Sequence, residues 1–264
     1  MTNASDVGIL VEQRDGIAIW TLARPDRMNS LTTEMLRAFE QLVHETRASK
    51  EVRAVVITGQ GTRAFCAGAD LKERRSMSDA QVREFLNAAE RTLLAIDRLD
   101  RPVIAALNGA ALGGGLELAL ACDLRVAAPG VALGLPEVSI GIIPGAGGTQ
   151  RLPRVVGLSR ATQMVLLSER VSAEEAWQIG LVHRVAPADQ DVLAFALELA
   201  RPFREGAPLA LAAALEALRA ADELPLEAGL NRERACYERV LTSEDRKEAL
   251  EAFAAKRKPE FKGR

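Results

Sequence analysis

The chain has 264 residues, of which 48% are hydrophobic, and its 34 basic and 36 acidic side chains give a formal net charge of −2. This length suits one large domain, or one domain with a smaller appendage, and the apolar share allows a sizeable core. The near balance of charge excludes the basic footprint of a nucleic-acid binder or an electrostatic membrane binder. Because only 4% of the residues are aromatic, the core must consist mainly of Ala, Leu and Val.

The cysteines and the apolar segments indicate in which cellular compartment the protein is located. Cys66, Cys122 and Cys236 are scattered and have no metal-ligand spacing, so we expect reduced thiols, no metal site and a cytoplasmic location. Residues 1–11 lack the basic and apolar regions of a signal peptide. The longest uncharged apolar stretch, Pro102–Leu116, is too short and Gly-rich to span a bilayer.

The first half of the chain alternates strand and helix signals. Two alternating segments flank Asp15-Gly16, which predicts a β-hairpin. The remaining predicted elements follow from period and capping residues. In order, the pattern predicts strands at Ile9–Arg14 and Ile17–Leu22, a helix from Thr32/Thr33 to about Ala48, a strand at Val52–Thr58, a loop at Gly59–Asp70, a helix at Asp79–Asp97 and a strand at Pro102–Leu107.

The second half changes character near residue 190. It begins with a strand at Leu124–Ala127 and a Gly/Pro-rich region, Pro129–Gly148, that predicts a functional loop. A capping box at Ser172 starts a helix that ends at Gly180, and Leu181–Val185 is a last strand. Only helices follow, so residues 1–190 are expected to form an α/β core and residues 191–264 a helical region that packs on the back of the core or on a neighbouring subunit. These helices are predicted at Asp191–Arg204, Pro208–Ala221, Pro225–Leu241 and Ser243–Lys258.

The stretch Asn108–Asp123 places a glycine run before a carboxylate in apolar surroundings. Gly113, Gly114 and Gly115 begin a predicted helix over 116–121, where each glycine costs roughly 1 kcal/mol relative to alanine. Glycines in such a place indicate close approach of a ligand to the backbone. Glu117 lies about one turn further on, near N–H groups that favour negative charge. The pattern suits an oxyanion hole beside an acid–base group, and equally a Gly-rich turn with Glu117 in solvent.

Six ordered segments together resemble the crotonase (enoyl-CoA hydratase/isomerase) superfamily. The resemblance implies an α/β spiral of ββα units, an all-helical C-terminal trimerisation region, and usually a hexamer built as a dimer of trimers. It covers nearly the whole chain. The matching segments are Arg24-Pro25…Asn29-Ser30-Leu31, Phe65–Glu73, Asn108–Asp123, Pro136-Glu137, Ile143–Leu152 and Phe253…Lys256-Arg257-Lys258.

By motif position, the resemblance assigns the reacting groups. The N–H groups of Ala69 and Gly114 would hold the oxygen of an acyl-CoA thioester, and such a donor contributes on the order of 3 kcal/mol in the transition state. Glu117 follows Gly114 by three residues and Glu137 follows Glu117 by twenty, the spacing of the hydratases. Glu117 would deprotonate the water that attacks C3, and Glu137 would protonate C2. Two close carboxyls in an apolar pocket should titrate as a pair.

The same resemblance assigns the coenzyme A contacts. CoA enters as part of the substrate, and no separate cofactor is expected. The backbone of the Ala69 loop would hold the adenine, Gly145 would line the acyl pocket, and two residues of the last helix would reach a neighbouring subunit's CoA. The full set is Arg27, Met28, Ala67, Gly68, Asp70, Leu71, Gly145, Phe253 and Lys256. Surface or core roles for Phe253 and Lys256 stay open.

Several details are closer to the AU-binding, 3-methylglutaconyl-CoA hydratase branch, which implies a role in leucine degradation. That substrate carries a second carboxylate, for which Arg74 and Arg75 are candidate partners, although both equally suit a solvated helix face. Ala146 departs from the glycine often found in this branch. The supporting segments are Phe65–Arg74 with Met77-Ser78, Gly113–Arg125, Gln150–Arg154 and Ala235-Cys236-Tyr237.

Four other functions are weighed beside this one. A general short-chain enoyl-CoA hydratase needs the same residues, whereas an isomerase needs only one of the two glutamates, and thioester hydrolysis would use the same CoA site. RNA binding in this branch depends on a Lys-rich first helix. Here the helix over Thr32–Lys50 mixes three glutamates with two arginines and has a lysine only at its end, so we expect no useful RNA affinity.

Overall fold

A computed structural model describes residues 4–264 of the chain; residues 1–3, which belong to the segment considered for a signal peptide, lie outside the described residues. Within these residues the chain forms ten strands and eleven α-helices, and the strands and helices of the first half that the sequence predicts are among them. The strands are β1 Ile9–Arg14, β2 Ile17–Leu22, β3 Ala54–Gly59, β4 Ala64–Cys66, β5 Val103–Leu107, β6 Ala110–Leu112, β7 Leu124–Ala127, β8 Ala132–Gly134, β9 Arg170–Ser172 and β10 Arg184–Val185.

The helices alternate with these strands as far as β10. Three short 3-10 helices, Ala4–Val7, Pro25–Arg27 and Glu137–Ile140, add turns between them. The α-helices are α1 Thr33–Ala48, α2 Leu71–Arg75, α3 Asp79–Asp97, α4 Gly114–Leu120, α5 Gly148–Val156, α6 Leu158–Leu166, α7 Ala173–Gln178, α8 Val192–Glu205, α9 Pro208–Glu223, α10 Leu226–Leu241 and α11 Glu244–Ala254.

Local chemistry explains where the main elements begin. Asp15 and Gly16 both have positive φ, +48° and +79°, as a two-residue hairpin turn requires. Thr32 accepts a hydrogen bond from Met35 N–H at the start of α1, and Ser78 forms a capping box with Gln81 at the start of α3. The predicted ends of the hairpin strands, α3 and β7 are confirmed.

The strands form two sheets. The larger has the order β1-β2-β3-β5-β7-β10, with β1 antiparallel and the other strands parallel. The smaller has the order β4-β6-β8-β9, with only the β8–β9 pair antiparallel. The predicted loops at 59–70 and 129–148 are therefore wrong in part, since β4 and β8 lie within them. These strands have three residues each, too few for a period to be recognised.

The central sheet is covered on both faces, as the continuous apolar pattern of β3 predicts. Val55 and Ile57 face the main core with α1 and α3, whereas Val56 faces a second core that includes Ala196 and Ala200 of α8. The first helix of the predicted C-terminal region therefore packs on the back of the sheet. The division at residue 190 stays a prediction. No helix in residues 4–264 is long and apolar enough to cross a membrane.

Candidate active site

Two backbone N–H groups, those of Ala69 and Gly114, lie close together where α4 begins. Leu31 N–H donates to the Gly68 carbonyl at 2.8 Å, and Asp70 N–H donates to the Leu31 carbonyl at 2.9 Å. In such a parallel bridge the N–H of the intervening residue, Ala69, points to the opposite side. Gly114 is the first residue of α4, so its N–H has no intrahelical acceptor.

Contacts of the neighbouring glycines fix the proximity of the two groups. A Cβ on Gly114 would lie 3.7 Å from Ala69 N, and a Cβ on Gly68 would lie 3.1 Å from Gly114 N. Both Ala69 and Gly114 are partly exposed, so a ligand can reach them. The pair has the form of an oxyanion hole.

The other two glycines of the run, Gly113 and Gly115, leave space for other residues of the protein. Gly113 has φ +54°, and a Cβ there would lie 2.9 Å from Glu137 Oε1. A Cβ on Gly115 would overlap the Cys66 carbonyl of β4. Ligand approach, which the sequence pattern indicated for all three glycines, therefore explains only Gly114. Gly113 admits a carboxyl and Gly115 lets α4 dock on β4.

Glu117 is held by a loop rather than exposed to solvent. Its side chain is buried, with 3% exposure, and its Oε1 accepts hydrogen bonds from Ala146 N–H at 2.8 Å and Gly148 N–H at 2.7 Å. Burial raises its pKa above the usual range, while these N–H groups and the charge of Arg151 act in the opposite direction. Its Oε2 lies 3.8 Å from the position of a Cβ on Gly114, so the free oxygen faces the oxyanion hole.

Glu137 approaches the same place from the 3-10 helix Glu137–Ile140. It is 8% exposed, and among the described residues its buried Oε2 has no hydrogen-bond partner. Burial raises its pKa to about 7; its own backbone N–H opposes this rise, and the Glu117 charge adds to it. Glu137 can therefore carry a proton near neutral pH, which suits a general acid.

Most predicted CoA-contact residues come together beside Ala69. The Met28 carbonyl accepts from Ala67 N–H at 3.0 Å, which ties this loop to the turn that carries the exposed Arg27. Leu71 is 60% exposed at the start of α2. The group comprises Arg27, Met28, Ala67, Gly68, Asp70 and Leu71.

The Asp70 side chain has a structural role within this loop. Its Oδ2 pairs with Arg24 at 2.8 Å, and its Oδ1 accepts from the N–H groups of Lys72 and Glu73 at the start of α2. Burial opposes ionisation, but the Arg24 and N–H contacts outweigh it and lower the pKa of Asp70. The Asp70 backbone is also engaged, since its N–H donates to the Leu31 carbonyl at 2.9 Å and its carbonyl accepts from Arg74 N–H at 2.9 Å. A contact between Asp70 and CoA stays a prediction.

The remaining predicted residues lie elsewhere. Gly145 stands next to the loop that binds Glu117, where a Cβ would press on Leu86 at 2.7 Å. Phe253, on α11, is 86% exposed, and Lys256 follows that helix with φ +53°. Within residues 4–264, no hydrogen bond or ion pair connects Phe253 or Lys256 to the Ala69 loop.

The two candidate partners of a distal carboxylate differ. The Arg74 guanidinium lies 5.3 Å from the centroid of the Phe85 ring, a cation–π contact. Arg75 is exposed, and within the described residues it makes no ion pair. Arg75 is therefore the more available cation of the two.

Sequence reasoning missed two contributors to the site. Arg24 had been noted only as part of a motif, and its pairing with Asp70 depends on contact between loops distant in sequence. Arg151 is likewise recognisable only once α5 is placed against α4. The sequence signal that could have indicated backbone N–H donors near Glu117 is the pair Gly147-Gly148, because it stands where helix α5 begins.

Comparison with known proteins agrees with this geometry. The family model for enoyl-CoA hydratase/isomerase matches residues 12–264. The 2,3-dehydroadipyl-CoA hydratase of Escherichia coli K12 is 44% identical over 97% of this chain and 99% of its own. Human mitochondrial methylglutaconyl-CoA hydratase is 41% identical over 96% of this chain and 76% of the human protein.

A solved structure extends the agreement to three dimensions. The crystal structure of an enoyl-CoA hydratase from Bacillus anthracis superposes with a TM-score of 0.95, at 41% identity, and covers 97% of this chain and 100% of that chain. The residues that the family model matches, 12–264, include both glutamates and the two N–H groups. The chain belongs to the enoyl-CoA hydratase/isomerase family of the crotonase superfamily.

Proposed function

We propose that this protein is a hydro-lyase that adds water reversibly, in the syn sense, to an α,β-unsaturated acyl-CoA thioester. The observation that carries the proposal is the convergence of two buried carboxyls, Glu117 and Glu137, on the N–H pair of Ala69 and Gly114. Two carboxyls are what hydration needs, because one must take a proton from water while the other delivers one to carbon. CoA arrives as part of the substrate, and the proposal involves no separate cofactor.

The proposed reaction divides the work between the two glutamates. Glu117, fixed through Oε1, takes a proton from water at Oε2 as the water oxygen bonds to C3. The electrons of the double bond move toward the thioester oxygen, which the N–H groups of Ala69 and Gly114 stabilise, each by on the order of 3 kcal/mol. Glu137 then gives its proton to C2. An exchange of protons with solvent returns both carboxyls to their initial states.

For the acyl group we propose 3-methylglutaconyl-CoA, which implies a role in leucine and isovalerate metabolism. Similarity to the human methylglutaconyl-CoA hydratase supports this substrate, as does an exposed Arg75 beside the Ala69 loop. The E. coli relative acts on 2,3-dehydroadipyl-CoA, also a thioester of a dicarboxylic acid. The alternatives are a general short-chain enoyl-CoA hydratase of β-oxidation and an enoyl-CoA isomerase.

Hydration rates with 3-methylglutaconyl-CoA and crotonyl-CoA, measured side by side by loss of the conjugated-thioester absorbance, test both levels of the proposal. We expect kcat/KM to favour the branched diacid by roughly tenfold, about 1.4 kcal/mol in the transition state. Arg75→Gln should then reduce that preference, while Arg83→Gln, an exposed change on α3, should leave it intact. A preference for crotonyl-CoA would support the β-oxidation alternative, and inactivity with both would contradict hydration.

Assembly and location are further parts of the proposal. We propose a cytoplasmic homo-trimer or a hexamer made of two trimers, in which Phe253 and Lys256 contact the CoA of a neighbouring subunit. Large apolar side chains on α10 and α11 support an oligomer: Leu226, Leu230, Tyr237 and Phe253 are each more than half exposed. The buried, free state of all three cysteines supports a reducing compartment. Sedimentation equilibrium measures the assembly, and a monomer would contradict it.

We propose no RNA-binding activity. The exposed charges of α1 include Glu34, Glu45, Arg37 and Arg47, a mixture that neutralises few phosphates. Filter binding at physiological salt should detect no submicromolar complex, and detection of one would overturn this part of the proposal.

A further inference from the structure

Arg151 connects helix α5 to the loop that binds Glu117. Its Nη1 donates to the Ala146 carbonyl at 3.1 Å, and its guanidinium lies over Gly147, where a Cβ would overlap it. The same loop supplies both N–H groups that bind Glu117 Oε1, from Ala146 and Gly148. Arg151 therefore binds the carbonyl of the very residue whose N–H holds the carboxylate.

The guanidinium is itself anchored from behind. Arg151 Nη2 pairs with Asp97 Oδ2, at the end of α3, at 3.2 Å. The other Asp97 oxygen lies 4.0 Å from Arg219 Nε of α9, and Arg219 pairs in turn with Asp123 at 2.8 Å. The side chains of Arg151 and Arg219 are 19% and 22% exposed, and that of Asp97 is 35% exposed. The ion pair with Asp97 and the hydrogen bond to the Ala146 carbonyl thus hold the Arg151 guanidinium from two sides.

We propose that Arg151 is a positioning residue for Glu117: anchored by Asp97, it holds the Ala146–Gly148 loop so that its N–H groups stay on the Glu117 carboxylate. The inference rests on the proposed role of Glu117 as the base. Arg151 acts through the loop and does not contact the reacting atoms. Its positive charge also favours the ionised form of Glu117, in addition to the two loop N–H groups.

The charged and titratable groups around Glu117 can be named element by element. Arg151 faces it from α5 and favours its ionised form, while Glu137 approaches from the 3-10 helix and opposes it. β4 contributes Cys66, whose pKa burial raises to about 12, so the thiol is neutral. β6, Ala110–Leu112, has no titratable side chain. Among these groups Arg151 is therefore the one cation that favours ionisation of Glu117, and its removal also frees the loop whose N–H groups bind the carboxylate.

The test compares Arg151→Gln, Arg151→Lys and a matched control. Arg154→Gln is the control, because Arg154 is an exposed arginine on the same helix and donates only to the Gln150 carbonyl. The Glu117 carboxyl is titrated by carbon-13 NMR in substrate-free protein, with Glu117→Gln to assign its signal. We expect Arg151→Gln to raise the Glu117 pKa further, Arg151→Lys to restore most of that change, and Arg154→Gln to leave it unchanged.

Catalysis provides the second readout. The acid limb of the kcat/KM profile should shift to higher pH in Arg151→Gln, so that activity on that limb is lower than in the wild type, with little change in KM. Should Arg151→Gln fail to fold, Asp97→Asn keeps the cation but removes its anchor, and we expect kcat to fall several-fold.

Three results would overturn the inference: an unmoved Glu117 titration in Arg151→Gln, the same shift in Arg154→Gln, or full kcat in Asp97→Asn. The titration uses no substrate, so it tests Arg151 even in a protein that hydrates neither thioester. Failure of the positioning role is thereby distinguished from failure of the proposed function.

Discussion

The two glutamates of the site occupy contrasting environments. Glu117 is carried by α4, and one of its oxygens is bound by two loop N–H groups with an arginine nearby. Glu137 is carried by a single 3-10 turn, and its Oε2 has no partner within the described residues. Burial raises both pKa values. Two loop N–H groups and the charge of Arg151 counteract the rise at Glu117, whereas at Glu137 only its own backbone N–H does so and the Glu117 charge adds to the rise. This contrast is what the proposed roles, Glu117 as base and Glu137 as acid, would require.

Replacement of Glu117, the carboxyl that two loop N–H groups bind, should have the largest effect on the hydration rate. Glu117→Gln is expected to reduce hydration by about 10²- to 10⁴-fold, because the amide cannot take a proton from water. Loss of thioester absorbance measures the rate, and Glu198→Gln, an exposed change on α8, should retain wild-type activity. Retention of double-bond isomerisation through Glu137 would instead favour the isomerase alternative.

Glu137→Gln should reduce the rate within the same range and change the pH profile. Since the proposed acid must be protonated, wild-type kcat/KM should decline as pH rises above about 7, the pKa of Glu137. The residual activity of Glu137→Gln should lack this alkaline decline, because no proton is lost there. A wild-type profile without the decline would contradict the assignment of Glu137 as the acid.

Gly113→Ala tests the packing of the Glu137 carboxyl against the backbone where α4 begins. Its Cβ would lie 2.9 Å from Glu137 Oε1, so we expect displacement of that carboxyl and a loss of about 10²-fold in kcat. Gly130→Ala is the matched control, because Gly130 also has positive φ, +69°, but no atom within 4 Å of its Cβ position. Equal losses in the two variants would attribute the effect to backbone strain alone.

The smallest expected effect concerns stability. The folded protein holds the Glu137 proton up to about pH 7, whereas an unfolded chain releases it near the ordinary value of 4.5. Stability is therefore lost as pH rises through this window. At pH 8, Glu137→Gln should raise the free energy of unfolding by on the order of 1 kcal/mol and Tm by a few degrees. At pH 4.5 it should change Tm little. Thermal melts at both pH values measure the difference, and an equal change at both would contradict it.

Local signals predict much of this molecule. Asp15-Gly16 specifies its hairpin, and Ser78 and Ser172 cap the helices they precede, because turns and caps depend on neighbouring residues. The smaller sheet was missed, since its strands have three residues and owe their conformation to pairing. Helices α5 and α6 were not predicted either.

The candidate site likewise has features that the sequence can predict and features that depend on tertiary contacts. The spacing of Gly114, Glu117 and Glu137 in the chain is enough to suggest two carboxyls beside an oxyanion hole, once the family resemblance is noted. The Asp97–Arg151 pair cannot be inferred from spacing, because it depends on how α3 meets α5. Tertiary contacts of this kind give the two glutamates their different surroundings.

The bridge between Leu31 and Ala69, together with the approach of Gly114, has a consequence for folding kinetics. The oxyanion hole has no local nucleus, since its parts come from three segments far apart in the sequence. Closure of the intervening loops must precede any catalytic competence. Recovered hydratase activity after dilution from denaturant should accordingly lag behind recovered helical signal, which makes turnover a reporter of completed folding.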